Sequence, residues 1–127
     1  MAYNMNPAFP TTISVVLDQT SHPGNIGAAA RAMKTMGLSK LILVNPKTEL
    51  DSVAYARASG ATDVLDAAQH YNSLTEALAD KHLVYATSAR ARHISLPTFT
   101  AKTAAEDIQQ HVTDDIQIAI VFGNEQH

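Results

Sequence analysis

Four short apolar runs, separated by stretches with helical spacing, constrain the fold of this chain more than any other feature. They are Thr12 to Leu17, Lys40 to Val44 (Lys-Leu-Ile-Leu-Val), His82 to Ala86 (His-Leu-Val-Tyr-Ala) and Gln117 to Phe122 (Gln-Ile-Ala-Ile-Val-Phe). Each reads as a nearly continuous apolar strand, the pattern of a strand buried on both faces. Buried strands that alternate with helices run parallel, joined by right-handed βαβ crossovers. The predicted fold class is therefore α/β, with a Rossmann-like, mainly parallel sheet and helices on both faces. At 127 residues and 46% hydrophobic content, the length suits one domain with a real core rather than two. The expected organisation is a flexible tail over 1–11 and a single domain over 12–127.

Between the first two strands, Pro23-Gly24-Asn25 breaks the extended pattern and Asn25 is placed to cap a helix that Gly37 ends. At 100° per residue, Ile26, Ala29, Ala30, Met33 and Met36 form a stripe suited to packing on a sheet, while Gly27, Arg31 and Lys34 fall roughly opposite. Gly27 has no side chain and precedes Arg31 by one turn. A ligand can approach the backbone there with the guanidinium beside it, and the free N–H groups of a helix start favour an anion such as phosphate. Taken alone, the same stretch is also a capped amphipathic helix whose solvent face happens to carry Arg31 and Lys34. Further on, Asp51 or Ser52 caps a short helix to about Ser59, ended by Gly60, and a brief strand is expected around Asp63 to Leu65. Asn72 or Ser73 caps a helix through Ala79, with Glu76 completing a capping box, and Lys102 to His111 is helical in pattern.

In parallel sheets ligands gather beyond the carboxyl ends of the strands. Three loops of unusual composition follow predicted strands: His22 to Gly27, Thr87 to His93, and Gly123 onward. Thr87 and Ser88 are small hydroxyl residues and Ala89 keeps the backbone accessible, which suits a cofactor lying across a strand end. Arg90, Arg92 and His93 follow as a basic cluster. Beside the opening helix, Arg31, Lys34, Arg90 and Arg92 would make a positive surface for polynucleotide phosphates. Judged alone, the second loop is an arginine-rich solvated turn. The formal net charge of −3 means that any nucleic-acid contact must come from such a local patch.

Other chemistries lack support. The chain has no cysteine, so disulfides, thiolate metal sites and cysteine nucleophiles are excluded. His22, His70, His82, His93, His111 and His127 are dispersed without ligand spacing, and no metal site is expected. Gly24-Asn25-Ile26-Gly27 lacks the dinucleotide glycine spacing, no Walker-type motif occurs, and neither Ser14 nor Ser88 sits in a nucleophile elbow. No secretory leader pattern and no membrane-length apolar run occurs, so the expectation is a soluble cytoplasmic protein with no membrane partner.

Asn25-Ile26-Gly27 followed by Arg31, then Ala86-Thr87-Ser88-Ala89-Arg90-Ala91-Arg92, then Val121-Phe122-Gly123-Asn124-Glu125, resemble successive motifs of the SpoU/TrmH branch of the SPOUT RNA methyltransferases, and within it the TrmJ type. The resemblance runs from about Ile13 to Glu125. It implies methyl transfer from S-adenosylmethionine to a ribose 2′-hydroxyl of tRNA, at an anticodon-loop pyrimidine for that type. It implies Arg31 and Asn25 as catalytic residues, and Thr87, Ser88, Ala89 and Gly123 around the cofactor. Gly27, Arg31, Lys34, Arg90 and Arg92 would face the RNA, and the complete family member is a homodimer. The family continues past this last motif with a glycine-containing loop and a Ser-x-Asn helix that thread a trefoil knot, complete the cofactor pocket and supply dimer contacts. Here the sequence ends at His127, and Asn124 stands where the TrmJ type usually carries a basic residue. The expectation is a SPOUT α/β-knot domain without its C-terminal knot segment, its cofactor pocket partly built. The alternative is a non-catalytic Rossmann-like module that binds RNA or nucleotide.

Overall fold

All four predicted strands form, together with a fifth, one parallel sheet. The computed structural model describes residues 13–87, 103, 106 and 116–123. Its elements are β1 (Ile13–Asp18), α1 (Pro23–Thr35), β2 (Lys40–Val44), α2 (Ser52–Ala58), α3 (Thr62–Asp66), β3 (Gln69–Tyr71), α4 (Leu74–Ala77), β4 (Leu83–Thr87) and β5 (Ile118–Phe122). The strand order is β3-β2-β1-β5-β4, with every pairing parallel. Of the helix predicted over 102–111, Thr103 and Glu106 are helical and exposed, and the rest lies outside the described residues.

Side chains alternate across the sheet and build a core on each face. Ile13, Val15, Leu17, Leu41 and Leu43 pack with Ile26, Ala30 and Met33 of α1 and with Ala54, Ala58, Val64 and Leu65 of α2 and α3. On the other face Val16, Ile42, Val44, Ala119 and Val121 pack with Ala77 and Leu74 of α4. The backbone continues the ladder past the strand ends, since the Gln19 N–H donates to the Val44 carbonyl and the Asn45 N–H to the Tyr71 carbonyl, both at 2.8 Å.

Helix starts follow backbone needs more closely than cap preference. His22 is the N-cap residue of α1, extended and without a side-chain cap bond, and Pro23 is the first helical residue. Proline lacks the N–H that a first turn leaves unbonded and its φ is already helical. The helix therefore starts before Asn25, which sits inside the first turn instead of capping it. At the other end Gly37 takes φ +80°, and the Leu38 and Gly37 N–H groups donate to the Met33 and Lys34 carbonyls at 2.8 and 3.1 Å. This is a Schellman turn, and it leaves Met36 outside the helix and 57% exposed, against the predicted stripe. Asp51 does cap α2, accepting from the Val53 and Ala54 N–H groups at 3.0 and 3.2 Å. Ser73 Oγ likewise accepts from the Glu76 N–H at 3.2 Å, although α4 stops at Ala77.

Two further expectations are corrected. Gly60 does not end the helical segment; the chain turns through a 3₁₀ helix at Ser59–Ala61 into α3. The strand expected around Asp63 to Leu65 is helical because Ala61, Val64 and Leu65 are all buried, a three-and-four spacing that only a helix puts on one face. The strand is Gln69–Tyr71, a polar edge strand paired with β2 alone.

Gly27 is the second correction of consequence. It is buried against α2, where an added Cβ would lie 2.1 Å from the Ala54 carbonyl oxygen and 2.8 Å from Arg57 Cβ. Helical spacing cannot show that α1 is covered by a neighbouring helix as well as by the sheet. The glycine allows close helix packing, so its backbone is closed to ligand and Gly27 leaves the RNA-facing set. We expect Gly27→Ala to lower stability by about 1–3 kcal/mol through overpacking. Gly24→Ala, whose Cβ would meet Arg57 Nη1 at an ordinary 3.5 Å, should be neutral or slightly stabilising. Urea midpoints of the two variants measure this; equal midpoints would show that α2 yields freely.

Candidate functional site

The strand order fixes where a site can be. From β3 at one edge the chain crosses to β4 at the other, then returns to insert β5 between β4 and β1. The carboxyl ends of β1, β5 and β4 therefore lie side by side on the edge outside which parallel sheets bind ligands. Leu17 pairs in register with Phe122, and Phe122 with Thr87. The β1–α1 loop, Gly123 and the end of β4 therefore share one stretch of the carboxyl edge.

Thr87 is half-buried and its Oγ1 donates to the Val121 carbonyl at 3.2 Å, which ties the β4 end to β5. Gly123 is exposed, and among the described residues no atom lies within 4 Å of where its Cβ would stand. Between α1 and the β1–β5 seam runs an apolar cleft of about 500 Å³. Leu17, Ile120 and Phe122 line it from the sheet and Met33 from the helix, with Asn25 and Gly123 at the carboxyl edge.

Of the two helix cations expected to face RNA, Arg31 is exposed and enters no ion pair among the described residues. Lys34 is different. Its Nζ lies 2.7 Å from Asp63 Oδ2 of α3, and this bond holds the Asp63 carboxyl below its ordinary value despite some desolvation. Asn25 is exposed in the first turn of α1. Ser88, Ala89, Arg90 and Arg92 lie outside the described residues. Sequence reasoning passed over Arg57, whose guanidinium lies over Gly24. The signal was present: Ala54 and Ala58 mark the packing face of α2, and Arg57 is three residues from one and adjacent to the other. Among the described residues no three histidine or carboxylate side chains gather as a metal site, and no helix is long and apolar enough to cross a membrane.

Taken together, the strand order and the helices define an α/β domain of the Rossmann-like class. A family model, the SpoU rRNA Methylase family, matches residues 12–127, and the chain belongs to that family. It is 51% identical over 113 residues to a Pseudomonas aeruginosa protein named tRNA (cytidine/uridine/adenosine-2′-O-)-methyltransferase TrmJ, covering 89% of this chain and 44% of that protein. Among solved structures, a probable methyltransferase from Bordetella pertussis superposes with a TM-score of 0.82 at 40% identity, over 94% of this chain and 72% of that one. The structure of TrmJ from Z. mobilis gives 0.77 at 37% identity, over 89% and 50%. The chain spans less than half the length of the curated relatives it matches.

Asp18 ends β1 beside this site, and burial raises its carboxyl above the ordinary value, with the Gln19 side chain partly opposing. A raised carboxyl means that the folded state holds the proton more tightly than the unfolded chain does. Stability contributed by Asp18 therefore falls as pH rises from the ordinary carboxylate value through the raised one. Asp18→Asn removes that loss, so the variant should gain on the parent between pH 3 and pH 7 in denaturation midpoint. A constant difference across that range would refute the assignment.

Proposed function

We propose that the chain carries the catalytic fold of an S-adenosylmethionine-dependent tRNA ribose 2′-O-methyltransferase acting on an anticodon-loop pyrimidine. The observation that carries this reading is the register of Leu17, Phe122 and Thr87, which brings the ends of three motif-bearing strands side by side. Relatives named for this reaction support it.

The strand ends fit the cofactor. Among the described residues, open space at Gly123 and a small hydroxyl at Thr87 leave room for a planar ring and its ribose. Thr87, Ser88, Ala89 and Gly123 would hold S-adenosylmethionine, which when bound supplies an electrophilic methyl group. The protein must then align a ribose 2′-hydroxyl and favour loss of its proton. A guanidinium stays protonated and is a donor only, so Arg31 is not the base. Arg31 instead clamps a phosphate next to the target ribose and stabilises developing negative charge on the oxygen. Asn25, in the first turn of the same helix, offers an amide that can donate and accept at the same sugar. Lys34, Arg90 and Arg92 contact the RNA backbone, Lys34 by exchanging the Asp63 carboxylate for a phosphate. The complete protein would act in the cytoplasm as a homodimer.

The test is methyl transfer by the full gene product, using labelled S-adenosylmethionine and unmodified tRNA. Label should appear in a 2′-O-methylated anticodon-loop pyrimidine. Arg31→Ala should lower turnover by about 100-fold or more, the scale of losing one transition-state donor, with the melting temperature unchanged. Tight tRNA binding without any transfer would instead favour the non-catalytic binding module.

A further inference from the structure

We propose that Arg57 is a second positioning residue for the RNA backbone, gripping a phosphate beside the one held by Arg31. This rests on the methyltransferase reading above. Arg57 belongs to the last turn of α2, but its side chain reaches over the first turns of α1. Its Nη1 and Cζ lie 3.5 and 3.6 Å from where a Gly24 Cβ would stand, and its Cβ lies 2.8 Å from that of a residue replacing Gly27. Two missing side chains thus open a lane along α1, and the arginine stem fills it. A stem laid on backbone loses less freedom on binding than one waving in solvent.

Gly24, Gly27 and Arg31 follow one flank of α1, three and then four residues apart and within about 20–60° of each other by helical spacing. Arg31 and the Arg57 side chain laid over Gly24 therefore share that flank, with α2 closing the backbone between them at Gly27. Neither has an acidic partner among the described residues, and α1 has no acidic residue in its first turn. The chain nevertheless carries net negative charge. The nearby lysine, Lys34, has found Asp63, whereas neither arginine pairs with a carboxylate of the described residues. A cation over the first turn of α1 also faces the positive end of that helix, an unfavourable pairing that an incoming anion reverses. The C-terminal end of α2 favours a cation at residue 57, but it does not account for a guanidinium carried across to α1. The planar fork suits a phosphate.

The competing role is purely structural, with the stem covering two glycines. Arg57→Met keeps an apolar stem and removes the charge; Arg57→Lys keeps the charge and removes the fork. In the full gene product we expect Arg57→Met to weaken tRNA binding by roughly ten-fold. The slope of log affinity against log salt should fall by about one. KM should rise with kcat near the parental value and an unchanged melting temperature, and Arg57→Lys should recover part of the affinity. Parental affinity and salt slope in Arg57→Met would overturn the proposal. If Arg31→Ala still abolished transfer, the methyltransferase reading would survive that result. A parent protein that neither binds nor methylates tRNA would sink both.

Discussion

The parallel pairing of β1 with β5 is the interaction on which the rest of this molecule depends. Ile13 to Leu17 meet Ile118 to Phe122 residue for residue, across more than a hundred positions of sequence. Without it, β1, β2 and β3 with their helices form one half and β4 with β5 another, and neither half has both its central strands covered. The seam is made by backbone hydrogen bonds, flanked by side chains such as Val16, Ile118 and Ala119 that are fully buried. Burial leaves those backbone groups no alternative partners, so the register is held firmly. The same seam sets the carboxyl ends of β4, β5 and β1 in one row, where a parallel sheet presents its loops to a ligand.

A second constraint works at right angles to the sheet. The α1 and α2 helices approach through small residues, Gly27 and Ala30 on one side and Ala54 and Ala58 on the other, all buried. Close approach lets backbone meet backbone, so there is little space to adjust and any added methyl is felt. It also fixes what lies on the outside of the contact. Arg57, between the packing residues Ala54 and Ala58, lays its side chain over Gly24 of α1. Toward β5, by contrast, the seam leaves Ile120 and Phe122 only half-buried and the cleft open. Helix packing therefore closes one flank of α1 and leaves the other accessible beside the strand ends.

Much of this was legible in the sequence, and the parts that were not share a cause. Strands at Lys40–Val44 and Ile118–Phe122, the stop at Gly37 and the caps at Asp51 and Ser73 all depend on a few neighbouring residues. The three loops were legible as motifs for the same reason. The adjacency of the strand ends that carry them, Leu17, Phe122 and Thr87, was a matter of strand order, which no local spacing encodes. Gly27 was misplaced because one helix turn does not reveal how many neighbours cover it. Val64 and Leu65 resemble a strand until Ala61 is counted with them. Asn25 is a good capping residue displaced by a better reason to start the helix earlier, the proline two residues before it.

Charge placement completes the physical picture. A domain with net negative charge attracts RNA only through the local field of a patch, and within about 8 Å at physiological salt. Cations already neutralised contribute little to that field. The Lys34–Asp63 pair is exposed on both sides, so it adds little stability and remains exchangeable. Arg31 and Arg57 keep their charge available on the α1 flank that runs up to the strand ends. Among the described residues a phosphate would meet no competing carboxylate at either arginine, whereas at Lys34 it must compete with Asp63. A polyanion drawn to this patch would have to pass over the Arg57 side chain at Gly24 and not along the backbone of α1, which α2 closes at Gly27.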